Sequence, residues 1–311
     1  MMLPLMLGLL ADPQAGGGDA SPASARTRTF ALLAIAYSAS IGGIATLVGS
    51  PPNAIAAAQA GIGFTQWLAY GLPAALLIWP VAMGVLWLAL RPGLRGTMHI
   101  ESSSITWTRP RITTLTVFIA TVACWVAGAP IARALGVSGD VDSMVALAAV
   151  IVLIASGCLR WRTLESQTNW GVLLLFGGGL ALSEVMQSSG ASAFLAAQVL
   201  TLVRESSPLL VMALVIAFVV FLTELVSNTA SAALVLPILL PAVTAMGMAP
   251  QAAAAAVAIA ASCAFMLPVA TPPNAIVYAT DQVPQATMMR CGLWLNLACI
   301  AVLTALTAVA S

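Results

Sequence analysis

The sequence predicts an all-helical membrane protein that crosses the bilayer several times. Long apolar runs follow one another with short gaps, charged side chains are scarce, and one motif recurs in the middle of two such runs. Apolar residues make up 61% of the 311 and charged residues 7%, with a mean hydropathy of +1.03. A soluble domain carries roughly 25% charged residues, and about 20 apolar residues carry a helix across about 30 Å of hydrocarbon. The recurring motif is Gly49-Ser50-Pro51-Pro52-Asn53-Ala54-Ile55 and Ala270-Thr271-Pro272-Pro273-Asn274-Ala275-Ile276. Paired prolines lack N–H donors and clash with a preceding helical turn, so the runs are expected to break at 49–53 and 271–274. In hydrocarbon a break is tolerated only where protein or a water-filled cavity satisfies its backbone. Matching broken helices in two halves of a membrane chain point to the substrate and ion sites of a transporter.

In chain order, residues 1–10 read as an apolar helix too short to span, opening at Met1 without the basic segment and cleavage site of a secretory signal. Residues 11–28, rich in Gly, Pro, Ser and Ala, read as a linker. A broken helix over 30–61 and a span over 67–90 complete a first repeat within 1–90. Residues 91–112 hold four arginines, Glu101 and His99, the only histidine, and read as a cytoplasmic loop between repeats. The second repeat, 113–311, begins with scaffold spans within 113–187, namely 113–135, 143–159 and 170–187. An interfacial helix at 191–204 follows. A hairpin over 208–245, with arms 209–226 and 230–243, turns at Ser227-Asn228-Thr229. A broken helix at 251–280 and a last span at 288–310 close the chain.

Arginine placement tests this order. If 67–90 ends in the cytoplasm, Arg26, Arg28, Arg91, Arg95, Arg109, Arg111, Arg160, Arg162 and Arg290 lie on that side, against Arg133 and Arg204 outside. This positive-inside bias holds only if the 208–245 hairpin is re-entrant, returning to the side it entered.

Ser227, Asn228 and Thr229 can cap the second arm of the hairpin. The exposed N–H groups there, at the positive end of the helix dipole, then hold an anion without a formal charge. No arginine is close in sequence to either break, so a dianion must be read by amides, hydroxyls and helix ends. The expected substrate contacts are Ser227, Asn228, Thr229, Thr271 and Pro272, with Ser50 and Asn53 from the first break. Carbonyls freed at breaks, with hydroxyl and amide oxygens, are hard ligands suited to Na⁺. Thr223, Val226 (carbonyl), Asn228 and Ala270 (carbonyl) are expected to form one sodium site, and Gly49 part of a second. No other metal is expected.

Two acids fall at membrane depth. Glu224 either supports hairpin geometry or carries a proton, and Glu184 lies near a span end. Gly177-Gly178-Gly179 suits close helix packing. The five cysteines, without CxxC spacing, read as small packing residues. An intramembrane hydrolase would need a Ser–His or Asp–Asp pair in the bilayer, and none is spaced for it. The net charge of +1 carries no signal for nucleic acid.

The stretches NWGVLLLFGGGLALSE from Asn169, TELVSNTASAALVLP and CAFMLPVATPPNAIVYA resemble the divalent anion:sodium symporters, the INDY-type carboxylate transporters. The resemblance implies two inverted repeats, each with a hairpin tipped by Ser-Asn-Thr and a broken helix with Pro-Pro-Asn. It also implies a homodimer, an elevator motion in a bacterial inner membrane, and Na⁺-coupled uptake of C4-dicarboxylates such as succinate. Citrate or sulfate transport, or sodium-independent dicarboxylate exchange, are the alternatives. One departure stands out: only one Ser-Asn-Thr is present. Leu3-Pro4-Leu5 resembles Leu236-Pro237-Ile238, yet Pro4 to Pro52 spans 48 positions and Pro237 to Pro273 spans 36. The linker at 11–28 absorbs the difference. The first repeat is therefore expected to be incomplete, its hairpin tip upstream of Met1, and the 311-residue chain is expected not to transport by itself.

Overall fold

A computed structural model of the chain describes residues 22–93, 106–128, 141–168, 170–202 and 207–310. Among these residues the regular structure is helical throughout. The helices are α1 (Pro22–Ile44), α2 (Pro51–Ala60), α3 (Phe64–Leu90), α4 (Arg109–Val126), α5 (Val141–Ala155), α6 (Trp161–Gln167), α7 (Trp170–Ser188), α8 (Ala191–Leu202), α9 (Pro208–Leu225), α10 (Asn228–Ala245), α11 (Pro250–Ser262), α12 (Pro272–Tyr278) and α13 (Gln285–Ala310). Four of them, α3, α9, α10 and most of α13, are long and apolar enough to cross a membrane. The expected helix at 1–10, most of the 11–28 linker, His99, Asn169 and the outward-assigned Arg133 and Arg204 lie outside the described residues.

Both interrupted runs are where the motif places them, but the interruption falls earlier than expected. The first covers residues 45–50 and the second 263–271, so the paired prolines do not sit in the gap. They open the resumed half-helices as their first residues, Pro51–Pro52 in α2 and Pro272–Pro273 in α12. The physical reason is that first-turn N–H groups have no intrahelical partner, so proline loses nothing there and its fixed φ favours the start of a helix. α1 also begins at Pro22, inside the stretch read as a linker; Ala-Ser-Ala-Arg-Thr-Arg contains no helix breaker, and the proline is again at the start. α4 likewise starts at Arg109, within the expected loop.

The helices fall into two compact units. The larger holds α1, α2, nearly all of α3, most of α7 and all of α8–α13, so both interruptions belong to it. Its centre is α11, whose sequence PQAAAAAVAIAAS is buried at every position from Ala253 to Ser262. Small side chains let backbones approach closely, and α11 packs against α2, α9, α10, α13 and α1. The hairpin arms α9 and α10 pack on each other and on α11, and α8 lies along α10. The smaller unit comprises residues 63–66 and α4–α6, with the start of α7. There the Asp142 carboxylate accepts from the Phe64 N–H at 2.8 Å, and the Phe64 ring stacks on Trp125 at 4.9 Å.

Each hairpin arm has 18 residues, about 27 Å at 1.5 Å per residue. Cysteines introduced near 208 and 245 are expected to react with a membrane-impermeant maleimide from one side of the membrane. Labelling from opposite sides would refute re-entry.

Candidate functional site

The last turns of α1 and of α11, and the loops after them, carry carbonyls without intrahelical partners. At each interruption the motif asparagine folds back to cover them. Asn53 donates its side-chain amide to the Gly43 and Thr46 carbonyls at 3.0 and 2.8 Å. Asn274 donates its own to the Ala264 and Leu267 carbonyls, both at 3.1 Å. The acceptors stand ten and seven positions upstream in both cases. Both asparagines are fully buried.

The correspondence extends along the chain in constant register. Asn53 and Asn274, Ile44 and Phe265, and Gly71 and Gly292 are each 221 positions apart (274 − 53, 265 − 44, 292 − 71). Gly71 on α3 lies so close to the Ile44 carbonyl that a Cβ would clash with it, and Gly292 on α13 bears the same relation to the Phe265 carbonyl. A side chain at either glycine would push the following helix off the interruption.

What surrounds the two loops differs. In the first, the Trp67 indole N–H donates to the Ile44 carbonyl at 3.1 Å. In the second, the buried Glu224 carboxylate of α9 is an acceptor for four donors. Oε1 takes the N–H groups of Phe265 and Met266 at 2.8 and 2.9 Å and the Asn296 amide at 2.8 Å, while Oε2 takes the Leu267 N–H at 3.0 Å. The Tyr37 hydroxyl donates to the Phe265 carbonyl at 2.9 Å. These contacts tie the end of the first hairpin arm to the loop after α11. Glu184 lies exposed on α7.

At the hairpin tip, Ser227 caps α10 by accepting from the Ala230 N–H at 3.1 Å. The buried Thr223 hydroxyl lies 2.6 Å from Asn228 Oδ1 and 2.8 Å from the Ala261 carbonyl. Three oxygens thus share one proton. Next to Ala261, the Ser262 hydroxyl meets that of Ser50, cap residue of α2, at 3.0 Å. Hairpin tip, end of α11 and first interruption form one chain of polar contacts through Asn228, Thr223, Ala261, Ser262 and Ser50.

Among the expected site residues, Thr223 and Asn228 come together, and Ser50 joins them through Ser262. Val226 and Ser227 are the extended hinge between the arms. Thr229 is buried beside them on α10. Thr271 caps α12, accepting from the Asn274 N–H at 3.3 Å, with Pro272 exposed after it. Ala270 and Gly49 occupy matching positions just before the caps. Asn53 departs from expectation. Its donors face the helix-end carbonyls, and its Oδ1, buried and unpartnered as is that of Asn274, is an acceptor of the wrong polarity for an anion. The side-chain donors of Asn53 are thus engaged in closing the interruption. Ala261 and Ser262 were missed, because a carbonyl and one serine at the end of an alanine run leave no sequence pattern beyond that lone hydroxyl.

Helices interrupted in mid-run, closed by their own asparagines and gathered round a polar hairpin tip, define a membrane transporter core. The chain belongs to the divalent anion:sodium symporters: residues 106–310 match the family described as "Sodium:sulfate symporter transmembrane region". This is a family of multi-pass membrane transporters, not of enzymes. A protein of Haemophilus influenzae named as an uncharacterised transporter is 43% identical over 97% of this chain and 66% of its own length. One of Methanocaldococcus jannaschii with a similar name is 33% identical over 98% of this chain and 67% of its length. A sodium-dependent dicarboxylate transporter of Staphylococcus saprophyticus is 32% identical over 97% of this chain and 63% of its length. The chain spans about two thirds of the length of the curated relatives it matches.

Replacing Asn53 or Asn274 by Ala strips the donor from two carbonyls and is expected to destabilise the protein by about 2 kcal/mol or more, read as loss of thermal stability in detergent; unchanged stability in both would refute the closing role. Glu224→Gln puts an amide NH₂ among N–H donors and is expected to cost about 1.5–3 kcal/mol. Its effect should exceed that of Glu184→Gln in the same assay, and equal effects would refute the assignment.

Proposed function

We propose that this chain forms part of a sodium-coupled transporter of divalent organic anions, C4-dicarboxylates such as succinate first among them. The observation that carries the reading is the oxygen cluster at the hairpin tip, where Thr223 Oγ1, Asn228 Oδ1 and the Ala261 carbonyl crowd together around a single proton. Hard, formally neutral oxygens such as these suit Na⁺. The sodium set is Thr223, Asn228 and the Val226 and Ala270 carbonyls, with Ala261 added by its contact with Thr223; Gly49 is the first-repeat counterpart of Ala270. The anion is held by Ser227, Asn228 and Thr229 at the N-terminus of α10, with Thr271, Pro272 and Ser50 alongside. The name of the Staphylococcus saprophyticus relative supports the dicarboxylate, and the family's description supports sodium coupling.

On this reading residues 1–90 and 113–311 are two repeats joined by a cytoplasmic loop at 91–112, within a bacterial inner membrane. The protein works as a homodimer by an elevator motion of its transport domain, in which the two interruptions and the hairpin tip travel together.

A ligand that binds only the folded state stabilises it by RT ln(1 + [L]/Kd), about 2.7 kcal/mol at 100 times Kd. Sodium chloride is therefore expected to raise the melting temperature of the purified chain by several degrees over equimolar choline chloride. Thr223→Ala abolishes the rise, and succinate adds to it only in sodium. Equal melting in the two salts would remove sodium coupling; a succinate effect independent of sodium would point to exchange.

A further inference from the structure

One cavity lies apart from the site above. It has a volume of about 490 Å³ and is walled by the start of α1, the end of α3 and the start of α13. These walls are fastened to one another. The Gly93 N–H, just past α3, donates to the Thr27 hydroxyl at 3.1 Å, and the Thr29 hydroxyl donates to the Gln282 carbonyl, just before α13, at 3.1 Å. Each wall contributes one arginine, Arg26, Arg91 and Arg290, and among the described residues no acid lines the cavity. The remaining lining is largely apolar, with Leu90, Pro284 and Ala286.

Three guanidinium groups round one opening repel each other unless an anion lies between them, and each presents a rigid fork matched to phosphate oxygens. The backbone of Arg91 reinforces this. It holds φ at +46°, at the end of α3 where glycine is the usual residue. From that strained position Arg91 lines the opening. The level in the membrane also fits. One turn before Arg91, Trp87 is 46% exposed, with its ring edge-on to Phe30, as aromatic residues stand at the boundary between hydrocarbon and headgroups. The three arginines are among the nine that the charge asymmetry places in the cytoplasm, the side on which basic pockets between helices meet anionic lipid.

We infer that this cavity binds the phosphate headgroup of an anionic phospholipid, with the guanidinium groups on the phosphate and the acyl chains running along the apolar wall below Trp87. A free phosphate would satisfy the arginines but leave the apolar wall and the aromatic boundary without a role.

The test uses the purified full chain in a zwitterionic detergent, titrated with phosphatidylglycerol, phosphatidylcholine or inorganic phosphate and followed by lipid adducts in native mass spectrometry and by melting temperature. Phosphatidylglycerol is expected to bind about tenfold or more tightly than phosphatidylcholine and to raise the melting temperature. The triple variant R26Q/R91Q/R290Q loses that preference, whereas R109Q/R111Q keeps it. Arg91→Gly guards against misfolding, since it relieves the positive φ: its melting temperature without lipid should be equal to or above that of the parent while its phosphatidylglycerol affinity falls several-fold. Equal binding of the two lipids, an unaffected triple variant, an unaffected R91G, or the same stabilisation by inorganic phosphate alone would each overturn the assignment.

Discussion

In hydrocarbon every backbone N–H and C=O must find its partner inside the protein, and the architecture of the larger unit follows from meeting that demand at two interrupted helices. The asparagine after each proline pair supplies two donors and reaches back to carbonyls ten and seven positions upstream. For it to reach, the resumed half-helix must begin beside the end of the first half, which the prolines secure by starting a helix where no N–H is needed. For the following helix to cover the junction, it must approach the backbone itself, and this requires glycine at 71 and 292. The constant spacing of 221 positions is thus the spacing of a mechanical unit comprising helix end, loop, cap and cover.

The two copies of that unit are supported differently, and the difference lies in charge. The first loop is held by neutral groups, the Trp67 indole and the Ser50–Ser262 hydroxyl pair. The second receives a carboxylate. Hydrogen bonds to a charged group are roughly twice as strong as neutral ones, and Glu224 makes them to three successive backbone amides while Asn296 braces it from α13. Glu224 stands one residue after Thr223, at the end of the first hairpin arm. The hairpin tip and the second loop are therefore tied through adjacent side chains, and displacing one displaces the other.

Much of this was legible in the sequence because proline, glycine and polar residues in apolar runs have few physical uses. The paired prolines marked the interruptions and Ser227-Asn228-Thr229 marked the hairpin tip, each through a backbone property that needs no tertiary context. The location of the gaps was less legible. Proline signals where a helix cannot continue, yet the same residue is favoured at a helix start, and only the fold decides which use applies. The role of Asn53 was hidden for a related reason: a buried amide offers both donors and an acceptor, and its neighbours choose between them. Ala261 acts through a carbonyl, which every residue carries, so no residue type could announce it.

The proposed function places these parts in a definite relation. A dianion at the hairpin tip would meet helix-end dipoles but no arginine close in sequence, and dipoles of about half a charge would leave most of its charge uncompensated in a medium of low dielectric. A sodium ion at Thr223, Asn228 and Ala261 would supply the missing positive charge one residue from the capping Ser227. Asn228 then belongs to both ligands, its side-chain oxygen facing the cation while its position at the start of α10 faces the anion. Coupling between two such sites is reciprocal by thermodynamic necessity, so on this proposal sodium would raise anion affinity by the same factor that the anion would raise sodium affinity. The economy of formal charge in these apolar helices would then be the source of the proposed coupling: an arginine at the tip would hold the anion whether or not sodium had bound, and the requirement for the ion would disappear.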